Sequence, residues 1–134
     1  MSFKVVNPVS LGSPKGYSNG LLTDSPGRLL FVSGQVGWNK DQQIVSNDFV
    51  EQFDRALANL LTVVAEAGGA PADVARLVIY VTDISEYRAQ TKGVGDRYRA
   101  RMGKHFPAMV LVEVKSLLDD AAKVEIEGVA LLSR

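Results

Sequence analysis

FPAMVLVEV, Phe106 to Val114, and KVEIEGVALL, Lys123 to Leu132, decide the fold. The Phe-Pro pair stops whatever precedes it, because proline lacks an N–H and restricts the residue before it. Met109–Val114 then reads as a strand with no charge until Glu113. Met109 and Leu111 alternate with Val110 and Val112, so this strand is apolar on both sides. In the second segment, alternation puts Val124, Ile126, Ala130 and Leu132 on one face. Glu125, Glu127, Val129 and Leu131 fall on the other. Carboxylates inside a closing strand are costly if buried without partners. They either reach solvent or pair with cations, or one is held in a partly desolvated cleft as an acid/base group.

The remaining segments set these strands in an α+β frame. Lys4–Val6 is a short apolar start, and Pro14, Gly16 and Gly20 punctuate a turn-rich stretch containing Tyr17. Leu21–Thr23 and Leu29–Ser33 read as strands joined across the turn Asp24-Ser25-Pro26-Gly27. Gly34, Gly37 and Asn39-Lys40-Asp41 mark a loop. The spacing of Phe49, Phe53, Leu57, Leu60 and Val64 predicts a helix over Asp48–Ala67. Asp48 and Glu51 stand at capping-box spacing, and Gly68-Gly69 ends it. Leu77–Val81 is a strand. A second helix is expected over Tyr87–Met102, with Gly93 and Gly95 weakening its first half. Both helices are expected on one face of the sheet. The chain has no spare element for the other apolar face, so another copy of the same chain is the economical cover.

Composition narrows the function classes. A chain of 134 residues, read as one domain over 1–134, carries 15 Lys plus Arg against 15 Asp plus Glu. That balance gives no electrostatic case for nucleic acid or an acidic membrane surface. There is no cysteine, which removes disulfides, Cys-ligated zinc and a thiol nucleophile. No signal-peptide core or membrane-spanning run is present, and the expected location is cytoplasmic.

The familiar catalytic motifs are absent. GVGDRY at 93–98 lacks the third glycine of a dinucleotide fingerprint, and VSGQVG around Ser33 lacks the glycine of a nucleophile elbow. His105 is the single histidine, so neither a metal cluster nor a Ser-His-Asp triad is indicated. It reads as a cap or surface residue. Arg97 and Arg101 share a helix face while Arg99 points away, which reads as a solvated basic face. Trp38 either stacks on a ligand or covers the sheet edge.

Taken together, Gly16-Tyr17, SGQ at 33–35, FPA at 106–108, VEV at 112–114 and VEIEGVA at 124–130 resemble the RidA (YjgF) family over essentially the whole chain. The resemblance implies a chorismate-mutase-like (YjgF-like) α+β fold, a mixed sheet with two helices on one face. It also implies a homotrimer with ligand clefts between subunits. The activity implied is hydrolysis of small enamines or imines without metal or cofactor. Glu125 would position the water, and Tyr17, Ser33, Gly34, Thr91, Met109 and Leu111 would line the substrate pocket. In the deaminase branch an arginine follows FPA and grips a substrate carboxylate. Here Met109 stands in its place, Thr91 replaces an asparagine, and Leu111 replaces a common cysteine. A carboxylate left unpaired there would cost on the order of 3–5 kcal/mol. A different imine or enamine, or a cation such as Lys40 or Lys115 reaching in, is the expected consequence. The competing reading is a small-ligand-binding trimer without catalysis. Met109 and Glu125 are expected on one sheet face, lining one cleft.

Overall fold

The computed structural model describes residues 3–24 and 26–133. A short hairpin pairs β1 (Lys4–Val6) antiparallel with β2 (Gly20–Leu22). The main sheet contains β3 (Arg28–Val36), β4 (Val74–Val81), β5 (Ala108–Glu113) and β6 (Val124–Leu132) in the order β3-β6-β4-β5. Only β4 and β5 run parallel. The sheet is therefore mixed, and the right-hand edge in that order is the Phe-Pro-Ala strand.

Helix α1 (Phe49–Glu66) lies on one face, with Phe49, Phe53, Leu57, Leu60 and Val64 all buried. That is the apolar stripe a 3.6-residue period predicts. Asp48 caps it by accepting from the Glu51 N–H at 3.0 Å. Only this half of the capping box forms, because the Asp48 N–H donates to Ser46 Oγ. The expected second helix is two: α2 (Ile84–Ala89) and α3 (Thr91–Met102), broken at Gln90. Asp83 starts α2 by accepting from Ser85 and Glu86, a local start that the spacing of the downstream apolar residues did not reveal.

Two further expectations are corrected. The segment Leu21–Thr23 contributes to β2, whose partner is β1, and the turn expected at 24–27 includes Ser25, outside the described residues. Gly34 lies inside β3, at a bulge where the β3–β6 register shifts between Val32 and Gln35. An added residue in one strand of a pair is accommodated this way and bends the strand.

Register fixes which side chains share a face. Leu77 pairs with Met109, and Ile79 pairs with both Leu111 and Ile126. This is the helix-covered face, where Leu77, Ile79, Val124 and Ile126 are buried. Tyr80 pairs with both Val112 and Glu125, on the opposite face. No helix covers that side. Leu29 is 62% and Phe31 73% exposed there, and these residues pair with Leu131 and Val129 of β6. The uncovered apolar face read from the sequence is present. Met109 and Glu125, however, lie on opposite faces of the sheet within one chain. The alternation along each strand was read correctly, but relative phase between strands depends on pairing register, which a single sequence does not print.

Candidate functional site

The helix face carries a cavity of about 380 Å³ between α3, β5 and the segment 15–17. Tyr17, Thr91, Met109 and Leu111 all line it. Its walls are mainly aromatic and aliphatic: Tyr87 and Tyr98 from the helices, Phe106 from the strand entry, Ile79 from the sheet floor. Ser18 explains why Tyr17 is there. Its Oγ donates to the Phe106 carbonyl at 2.6 Å and its N–H to the Pro107 carbonyl at 3.2 Å, with a bridge to Ala108. The Gly-Tyr-Ser turn is thus stitched to the Phe-Pro-Ala entry. Proline 107 cannot donate, so only its carbonyl is available to this pairing.

Tyr98 is stacked on Phe106 with ring centroids 5.7 Å apart, and its hydroxyl donates to the His105 carbonyl. Burial pushes the Tyr98 phenol well above its ordinary range, so it stays neutral and serves as wall. The His105 ring nitrogen Nε2 lies 2.6 Å from the Val74 carbonyl, and the ring stacks on Phe3. It is a buttress between the loop after α3 and the start of β4, half-buried rather than a free surface group.

Ser33, Gly34 and Glu125 lie apart from this cavity, on the uncovered face. A Cβ built on Gly34 would sit 2.7 Å from the Glu125 Cδ and overlap its carboxylate. The side chain therefore folds directly over the bulge, and a side chain at 34 would displace the Glu125 carboxylate without any demand from backbone torsion. Among the described residues, no lysine, arginine or histidine pairs with Glu125. Its neighbour Glu127 accepts a hydrogen bond from the Tyr80 hydroxyl. That bond holds the Tyr80 phenol above its ordinary range, since ionising it would place two anions together. Glu127 is thus committed to Tyr80, whereas Glu125 is the half-buried carboxylate left open.

The basic helix face divides. Arg97 and Arg101 both grip Asp54 of α1, Arg101 through Nε and Nη2 at 2.6 and 3.0 Å. They tie α3 to α1 instead of forming a solvated face. The Arg101 guanidinium in particular holds the Asp54 carboxyl below its ordinary range. Arg99 does point away, and it lines the cavity, as does Lys15. Neither Lys40 nor Lys115 lines it. Trp38 is half-buried and bridges to Ile44, closing the loop before α1. No cluster of three or more metal-ligating side chains occurs among the described residues, and no helix among them is long and apolar enough to cross a membrane.

Comparison with known proteins fits this arrangement to a family. The family model described as Endoribonuclease L-PSP matches residues 9–132. A RutC family protein of Drosophila melanogaster, UK114, is 30% identical over 96% of this chain and 88% of its own. TdcF of Escherichia coli, provisionally named a reactive intermediate deaminase, is 26% identical over 80% of this chain and 81% of its own. A crystal structure of the Rid-family protein YyfB from Yersinia pestis superposes with a TM-score of 0.87. It shares 33% identity, with 98% of this chain and 100% of that one covered.

Proposed function

The chain belongs to the RidA (YjgF) family, that of Endoribonuclease L-PSP, and we propose that it hydrolyses a small imine or enamine to a carbonyl compound and ammonia at a site shared between two copies. The carrying observation is Glu125, a half-buried carboxylate with no cationic partner among the described residues, seated over Gly34 on the uncovered face beside the Tyr80–Glu127 pair. A carboxylate whose oxygens are not taken up by a cation is free to hydrogen-bond a water or a substrate.

The chemistry follows from that capacity. Water adds to the carbon of the C=N bond while Glu125 takes its proton. That proton is passed to nitrogen, giving the tetrahedral adduct. The proton of the new hydroxyl then moves to nitrogen as the adduct collapses to C=O and expels ammonia. An enamine enters the same route after its β-carbon gains a proton and its nitrogen loses one. The aromatic cavity holds the organic body of the substrate and excludes bulk water. Because the cavity and Glu125 sit on opposite faces of one sheet, a second copy must bring its own Glu125 to the cavity mouth. The exposed Leu29 and Phe31 beside Val129 and Leu131 supply the apolar surface for such an assembly, which we take to be a homotrimer.

Binding without catalysis is the second reading, favoured by the cavity being well formed with no carboxylate or histidine among its lining residues. One experiment separates the two. Imines are generated in situ from a panel of amino acids and amines, and ammonia release is followed with wild type and Glu125→Gln. Hydrolysis that falls about 100-fold or more in the variant, with ligand affinity retained, supports the enzyme. Saturable binding with no turnover across the panel supports the binder.

A further inference from the structure

Helix α3 presents Thr91, Gly95 and Arg99 to the cavity at successive i, i+4 positions, one above another. Gly95 sits under the Arg99 guanidinium. A Cβ there would lie 3.2 Å from Nη1, 3.5 Å from Nη2 and 3.7 Å from Cζ. With no side chain at 95 the guanidinium lies close against the helix backbone beside the cavity wall, and a methyl group there would press on it. One of its N–H groups, on Nη2, donates to Asp96 Oδ1 at 2.8 Å. Among the described residues, Nε and Nη1 donate to no protein acceptor, and the side chain remains 60% exposed.

The charges at the mouth add in one direction. Asp96 is shared between Lys92 and Arg99, so the three together carry one positive charge. Lys15 adds a second from the facing segment, and no acidic residue is among those lining the cavity. An arginine with unused donors at the rim of an aromatic cavity suits an anion attached to an apolar body. A planar carboxylate matches the spacing of its N–H groups.

We propose that Arg99, reaching from α3 over Gly95, is the anchor for a carboxylate-bearing substrate with an apolar side chain, with Lys15 assisting. This names the substrate class of the hydrolysis proposed above and rests on that reading for its catalytic half. The carboxylate would be gripped from the helix side of the cavity, while Met109 and Leu111 of β5 contact the apolar portion. Imino acids derived from aromatic or branched amino acids are the class that fits.

Binding tests the anchor without turnover. Phenylacetate and its neutral counterpart phenylacetamide are titrated by NMR into the intact assembled protein at low and moderate salt. The wild type should bind the acid about 10- to 100-fold tighter than the amide. Arg99→Gln should remove that preference and leave amide binding unchanged, Arg99→Lys should keep part of it, and Gly95→Ala should weaken it by displacing the guanidinium. Lys104→Gln, outside the cavity, should behave as wild type. Equal binding of acid and amide by the wild type overturns the proposal, as does a preference that survives in Arg99→Gln, or no binding of either compound. A preference lost in Arg99→Gln in a protein that hydrolyses no imine leaves the anchor standing and removes the deaminase instead.

Discussion

The two faces of the sheet are built from the same strands and behave oppositely. On the helix face, Leu77, Val124 and Ile126 are buried in the core beneath the helices, and what space remains is the aromatic cavity beside α3, floored by Ile79. On the other face, Leu29 and Phe31 stand exposed around a patch holding Tyr80, Glu125 and Glu127. The first face is finished by its own chain; the second is not. Each face holds half of what imine hydrolysis needs, a place for the organic body on one side and a proton acceptor on the other. The division teaches that assembly, on this account, is a catalytic requirement as well as a structural one.

The most disruptive way to probe that difference is to spoil the unfinished face alone. Phe31→Asp puts a charge where a neighbouring copy would bury it, a cost of several kcal/mol per site. Sedimentation should then report single 14.5 kDa chains with near-native circular dichroism and no turnover. Full activity in a monomeric variant would break the comparison.

Gly34→Ala is subtler. The fold should survive, because the overlapped atoms are the movable end of Glu125. Displacing that carboxylate by about 1 Å should lower kcat by roughly 10- to 100-fold with KM little changed. A wild-type kcat would mean that the carboxylate does not work from its seat on the bulge.

Met109→Arg acts on the finished face. It adds a donor to the cavity from β5, and should improve kcat/KM for carboxylate-bearing imines by about tenfold at most, since Arg99 already supplies one. Loss of activity on carboxylate-free imines with no gain on the others would show that Met109 contacts the apolar portion only.

The smallest effect concerns the helix pair behind the cavity. The Asp54 carboxyl is held low by Arg101 and Arg97, so its contribution is present above the ordinary carboxylate range and lost as pH falls through its lowered folded value. Asp54→Asn should cost about 1 kcal/mol near neutral pH, discounted because both arginines are partly solvated. It should also flatten the stability loss below about pH 4, as urea melts at several pH values would read.

Much of this was legible in the chain. The stripe of α1, its Asp48 cap and the alternation of β6 follow from local spacing, and the structure repeats them. The resemblance carried Tyr17, Thr91, Met109 and Leu111 into one group, and they line one cavity. What local spacing could not carry was phase between strands. Leu77 opposite Met109 and Tyr80 opposite Glu125 are facts of register, and they put Met109 and Glu125 on opposite faces where alternation alone puts them on one. Helical spacing alone turns Arg99 away from Arg97 and Arg101, but what it points toward depends on how α3 packs. Ser18, whose bonds position Tyr17, had no sequence signal beyond lying between a Gly-Tyr pair and a strand.

The claim that each site draws on two chains is tested most directly by mixing inactive subunits. Glu125→Gln keeps an intact cavity, and Thr91→Trp blocks the cavity but keeps Glu125. Each should be nearly inactive as a pure trimer. Co-refolded in equal amounts, random assembly pairs an intact cavity with an intact Glu125 at about a quarter of sites, so roughly a quarter of wild-type turnover should return. A mixture as inactive as its components would mean that cavity and carboxylate act within one chain or not together at all, and would contradict the account.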